Sequence, residues 1–119
     1  MKIVITSNGT TLQSEVDPRF ARASYFIVYD VDNDSHEVVD NAQSADAVHG
    51  AGPQAAENIS RTGAKVLITG NCGPNAFRVL GAAGIEVYTG FSGTVFEAIN
   101  AFKKGELKKS SGASVKGHW

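Results

Sequence analysis

From residue 52 onward the chain alternates between two periods, and that alternation restricts the fold more than any other feature. Gly52-Pro53 opens a helix that Gly63 closes, with proline at the first helical position and glycine just past the end. Residues 65–69 (KVLIT) read as a buried strand. Gly73-Pro74 opens a second helix, with Phe77, Leu80 and Ala83 at helical spacing and Gly84 as its stop; residues 85–89 form the next strand. Thr94-Val95-Phe96-Glu97 is a capping box, in which hydroxyl and carboxylate satisfy orphan backbone donors. Val95, Ile99 and Phe102 then share one face up to Gly105. Strands separated by helices have no tight turn to pair them antiparallel, so they lie parallel.

The first half reads differently. Residues 2–6 (KIVIT) make a β-branched run suited to a buried strand, ended by Ser7-Asn8-Gly9; residues 10–23 show no period. Residues 25–31 (YFIVYDV) are the strongest strand in the chain. Asp32-Asn33-Asp34 turns them into a second arm at 36–39, a β-hairpin that adds antiparallel strands. Residues 41–51 are a loop of small and polar side chains. The order β, ββ, α, β, α, β, α predicts an α/β fold: a five-stranded mixed β-sheet with flanking helices, in a single domain over residues 1–107. Residues 108–119, rich in Ser, Gly and Lys, are expected to be a flexible basic tail.

Composition excludes several classes. With 119 residues, 42% hydrophobic and 19% charged, the chain can bury a core and is not wholesale disordered. Its single cysteine cannot make an internal disulfide, a four-thiolate zinc site or a fully protein-ligated iron–sulfur cluster. No apolar stretch approaches the roughly 20 residues of a membrane span. The chain also enters its first strand without a signal-peptide apolar region, so a soluble, cytoplasmic protein is expected. The net charge of −1 hides an asymmetry, +4 over residues 101–119 and −5 over the first hundred. No aromatics interleave the basic end before Trp119, which argues against a nucleic-acid partner.

The candidate chemistry lies in loops. Gly50-Ala51-Gly52-Pro53 and Asn71-Cys72-Gly73-Pro74 echo one another, each a small-residue loop before a helix, and Gly90-Phe91-Ser92-Gly93 precedes the third helix. Right-handed α/β connections bring such helix starts to the carboxyl edge of the sheet, near Ser7 and Asn8. Unpaired N–H groups and positive dipole ends make that edge an anion site; the plainer alternative is that glycine and proline only punctuate the helices. Cys72 is either a small buried hydrophobe or a thiol whose pKa the following helix lowers. With His49, in the equivalent place of the first loop, it could offer one sulfur and one nitrogen to a soft metal. In Asp17-Pro18-Arg19-Phe20-Ala21-Arg22, Phe20 anchors a loop whose arginines could reach one anion, or whose Asp17 simply pairs with an arginine. His36 and His118 have no sequence partners. The acidic residues 30, 32, 34 and 40 do not have calcium-loop spacing, and no P-loop, nucleophile elbow or dinucleotide fingerprint is present.

Residues 1–7, the 17–23 stretch running into 25–30, Gly73-Pro74-Asn75-Ala76-Phe77, and Gly93-Thr94-Val95-Phe96-Glu97-Ala98-Ile99 through Phe102 and Gly105-Glu106-Leu107 resemble the nitrogenase iron–molybdenum cofactor biosynthesis family. The match runs in order from residue 1 to about 108. It implies a ribonuclease-H-like fold and a protein that binds or carries a metal–sulfur cluster without turning over a substrate. Within the family, Cys72 ahead of Gly73-Pro74 is similar to the orange-protein branch, which implies a molybdenum–copper sulfide cluster; an iron–molybdenum–sulfur cluster is the alternative. Ala21 stands where many relatives have glycine, and a plain lysine tail replaces their histidine- or arginine-rich tails. A ribonuclease-H-like fold brings no nuclease chemistry here, because Ile3-Val4-Ile5-Thr6 carries no carboxylate.

A molybdenum–sulfide cluster is a soft anion with its own sulfide ligands, so N–H groups and arginines can hold it with few protein ligands. The expected binding residues are Ser7, Asn8, Arg19, Arg22, His49, Gly50, Gly52, Asn71, Cys72, Gly73, Gly90, Ser92 and Gly93, with Cys72 and His49 as metal ligands and no catalytic residue. A protein partner in cluster delivery is expected. Two rivals remain: an enzyme with Cys72 as nucleophile and His49 as base, and a docking module that binds a partner through the hairpin or tail without metal.

Overall fold

The computed structural model describes residues 1–41 and 50–110. Its elements are β1 (Lys2–Ser7), β2 (Tyr25–Asp30), β3 (Ser35–Asp40), α1 (Ala51–Ser60), β4 (Val66–Ile68), α2 (Pro74–Ala82), β5 (Glu86–Tyr88) and α3 (Val95–Lys103). They form the expected α/β fold, a five-stranded mixed sheet in the order β3-β2-β1-β4-β5. β1 pairs antiparallel with β2 and β2 with β3, while β1–β4 and β4–β5 are parallel. Among the described residues no helix is long and apolar enough to cross a membrane.

The central strand β1 is buried on both faces, as its β-branched run requires, and its side chains alternate between two cores. Val4, with Phe26, Val28, Leu67 and Val87, packs under α1 and α2 through Ala55, Ala56, Ile59 and Leu80. Ile3 and Ile5, with Ile27, Val66 and Ile68, pack under α3 through Val95, Ala98 and Ile99. Two helices therefore cover one face and one helix covers the other. Small alanines on α1 let that helix approach both the sheet and α2 closely.

Three differences from the sequence expectation have local causes. α1 starts at Ala51 behind Gly50, whose φ of 72° is left-handed, so Gly52 lies in the first helical turn rather than in a loop. Pro53 is the third helical residue; it is tolerated there because first-turn N–H groups have no acceptor within the helix. The chain is still in contact with the sheet at Ser110, past the expected boundary at 107. Ser110 N donates to Val87 O (2.8 Å), and Thr89 N donates to Ser110 Oγ (3.2 Å), so residues 108–110 run along the open edge of β5. Residues 111–119 and the 42–49 part of the expected loop lie outside the described residues. The glycine stops do behave as expected: Gly63, Gly84 and Gly105 take φ values of 82°, 76° and 71°.

Candidate functional site

The helices run back toward the start of β1, which places all three N-termini at the carboxyl edge of the sheet. The end of α1 lies beside Lys2, whose Nζ reaches Thr62 O. The residues after α2 lead to Glu86 N, which donates to Lys65 O at the amino edge. At the end of α3, Lys103 Nζ sits 5.0 Å from the Tyr29 ring centroid, across from Ile3.

The irregular segment after β1 is a strap across that carboxyl edge, held by backbone. Asn8 N donates to Glu15 O, Val16 N to Gly93 O, Asp17 N to Thr6 O and Phe20 N to Asn71 O, at 2.8–3.2 Å. Isolated bridges pair Ser7 with Val16, Glu15 with Thr94 and Arg19 with Asn71. Beneath the strap the buried Thr6 hydroxyl donates to Asp17 O (2.8 Å) and lies 3.0 Å from the Thr69 hydroxyl. Gly70 makes the crossing possible: a Cβ there would meet Pro18 Cα at 2.6 Å and Pro18 O at 2.7 Å. Farther along, Asn41 Nδ2 donates to Ala21 O and Ala23 O and pins the end of the strap.

The strap brings many of the expected residues together. Ser7, Asn8, Arg19, Asn71, Cys72, Gly73, Gly90 and Gly93 all lie on strap–loop connections or next to them, with Gly90 N donating to Gly70 O (2.8 Å). Ser7 is buried with its hydroxyl donating to Gly9 O, whereas Asn8, Arg19, Gly90 and Ser92 are exposed. Arg22 is half-buried in the strap, and Gly50 is exposed ahead of α1. His49 and His118 lie outside the described residues.

The three helix starts are not equivalent. Among the described residues no side chain caps α1 at Gly50 or α2 at Gly73, and these neighbouring helices share one face of the sheet. The start of α3 is on the opposite face and fully engaged. Thr94 N donates to Glu97 Oε1 and Glu97 N to Thr94 Oγ1, while the strap carbonyls of Ser14 and Leu12 accept from Val95 N and Phe96 N. The expectation that three helix starts are open at this edge is corrected at the third, where the strap carbonyls and the capping box already accept from its N–H groups.

Of the two readings of Cys72, the small buried hydrophobe is the one the packing shows, and the lowered thiol pKa is not. Its thiol is fully buried among the apolar side chains under α1 and α2, with Sγ 3.7 Å from Gly73 O. Burial pushes its pKa up to about 12 through loss of solvation, which favours the neutral thiol. Among the described residues no three His, Cys, Asp or Glu side chains converge as a metal-chelating group. What the edge offers is backbone N–H groups at two helix starts and the exposed Arg19.

Sequence reasoning passed over Thr6, Thr69 and Gly70. Gly70 carried the one available signal, a glycine just past a strand that neither stops a helix nor makes a turn.

An α/β domain with a strapped, donor-rich carboxyl edge is thus defined. The chain belongs to the family described as dinitrogenase iron-molybdenum cofactor, whose model matches residues 1–105. The apo form of the orange protein from Desulfovibrio gigas is similar over 96% of each chain, at 41% identity and a TM-score of 0.94. The NMR structure of a Thermotoga protein with a provisional NifB assignment is similar over 98% of each chain, at 45% identity and a TM-score of 0.85. An uncharacterized protein of Methanocaldococcus jannaschii is 30% identical over 112 residues, 92% of this chain and 91% of that protein.

Proposed function

We propose that the protein is a non-enzymatic carrier of a preassembled molybdenum–copper sulfide cluster, accepted at the carboxyl edge of the sheet and released to a protein partner. The observation that carries this is the pair of helix starts without side-chain caps, at Gly50 and Gly73, sharing one face beside a strap that presents Arg19. Membership of the family and similarity to the orange protein support a molybdenum-containing cargo; an iron–molybdenum–sulfur cluster is the alternative cargo. The strand order, with β2 alone running against the others, supports a ribonuclease-H-like assignment. A cytoplasmic location fits a protein that trades sulfide clusters.

In this proposal the cluster's sulfides accept hydrogen bonds from the N–H groups around Gly50, Gly52, Asn71 and Gly73, and from Arg19 and Arg22. Ser7 and Asn8 close the side next to β1, and Gly90, Ser92 and Gly93 form the rim on the β5 side. Cys72 and His49 are the candidate ligands for a copper ion of the cargo. Because the native thiol is protonated, ligation by Cys72 must release a proton, and affinity then rises with pH. A buried thiol with a raised pKa is the opposite of what a nucleophile requires, which weighs against the Cys72 enzyme.

Titration of the apo protein with tetrathiomolybdate and copper, followed by its visible spectrum and by metal analysis of the native protein, tests the proposal. Strong sulfide-to-metal absorption at fixed molybdenum-to-copper stoichiometry is expected. Removal of residues 108–119 should leave that binding intact. Iron in place of copper would move the assignment to the alternative cargo, and a colourless protein that ignores the titration would overturn cluster binding.

A further inference from the structure

We infer that Asp17 is a positioning residue that aims Arg19 at an anionic, sulfide-bearing cargo; the inference rests on the carrier proposal above. Asp17 is 1% exposed and faces the Arg19 side chain, which is 47% exposed, across a half-made ion pair. Its Oδ1 accepts from Arg19 N (3.0 Å) and from Arg19 Nε (3.3 Å). Its Oδ2 is buried with no partner.

A guanidinium and a carboxylate ordinarily close a two-pronged fork, Nε to one oxygen and a terminal NH2 to the other. Here the second prong is missing. Closing it would satisfy the buried Oδ2 and would occupy an Nη group of Arg19. The fold forgoes that gain, and among the described residues neither Nη group has a partner. Uncompensated polar atoms of this kind gather where a site is held ready for a ligand.

Rigidity completes the device. The strap has no slack at this point, because Pro18 lies against Gly70 and Arg19 pairs with Asn71, one residue ahead of Cys72. Asp17 thus fixes the base of the guanidinium on a strap residue whose backbone pairs with Asn71, just ahead of α2, and leaves the outer N–H groups unpaired among the described residues. The cargo class that follows is an anion with several acceptor atoms on one face, which the terminal NH2 groups meet together.

A double-mutant cycle on the full chain, titrated with tetrathiomolybdate and copper, tests this. R19Q should weaken binding about tenfold, and D17N about threefold, because a neutral acceptor holds Nε less firmly. The sign should reverse in the double variant. With Arg19 replaced, Asp17 is only a negative charge beside an anion, so adding D17N to R19Q should strengthen binding. R19K keeps the charge but has no Nε–H to grip, and it should bind as poorly as R19Q. Melting temperature, measured alongside, should hardly move for R19Q and R19K, whose side chain is exposed.

Tighter binding by D17N alone would overturn the inference, as would full affinity in R19K, and the carrier proposal would stand. A wild-type protein that does not bind the probe would remove both.

Discussion

Gly70 shows how one hydrogen atom decides a site. Its Cα lies against the Pro18 backbone, where neither partner is a flexible side chain able to swing aside. Gly70→Ala should destabilise the protein by about 1–3 kcal/mol, the range for overpacking a tight contact. It should also lift the strap from Asn71, so that urea unfolding records the loss and thiomolybdate affinity falls with it. Cys72 makes a prediction of a different kind. Burial raises its pKa from the ordinary 9.0 to about 12, so the native state keeps a proton that the unfolded chain releases. Below pH 9 both states are protonated and the stabilisation is complete; between pH 9 and about 12 it is progressively lost. Urea midpoints should therefore fall more steeply with rising alkaline pH in the wild type than in C72A. Alkylation at neutral pH should be slow until the protein unfolds.

At the scale of elements, the start of α3 is the joint between helix and strap. The capping box supplies two of its bonds and the strap carbonyls of Leu12 and Ser14 supply two more. Thr94→Ala should cost about 1 kcal/mol, read from the denaturant midpoint. Because Glu15 pairs with Thr94 and Val16 N bonds Gly93 O, the loss should also raise amide exchange in residues 12–17. The uncapped starts of α1 and α2 invite the opposite experiment. An N-cap serine in place of Gly73 would supply an acceptor for the first-turn N–H groups, adding stability and competing with the anion. Both effects should be visible in one titration with tetrathiomolybdate.

For the whole molecule, apolar side chains build a core on each side of the sheet. The apo protein should unfold in a single calorimetric transition whose midpoint is unchanged by a chelator. Bound cargo at a hundredfold excess over its dissociation constant should add about 2.7 kcal/mol. An unchanged midpoint would separate this fold from small domains that a metal must hold together. The charge-based part of binding should weaken with salt, since Arg19 is exposed and screened by counter-ions.

Periodicity made most of the architecture legible. The β-branched runs, the hairpin turn at residues 32–34, the glycine stops and the capping box each reflect interactions within a few residues, and each element formed within about two residues of its expected place. The part of the candidate site readable this way was the pair of glycine-rich helix starts and the arginines of the strap. What no local pattern encoded was where residues 8–23 go. Their bonds reach Asn71, Gly93 and Thr94, more than fifty residues away, so only the packed sheet brings donor and acceptor together. The same crossing occupied the third helix start, put Asp17 and Cys72 out of water, and required Gly70 to lack a side chain. Solvation and backbone contact are properties of the assembled edge. The sequence by itself determined the elements and the direction of the sheet; which donors remain open to a ligand was decided by the tertiary structure, because a distant strap can satisfy an N–H group as well as a cargo can.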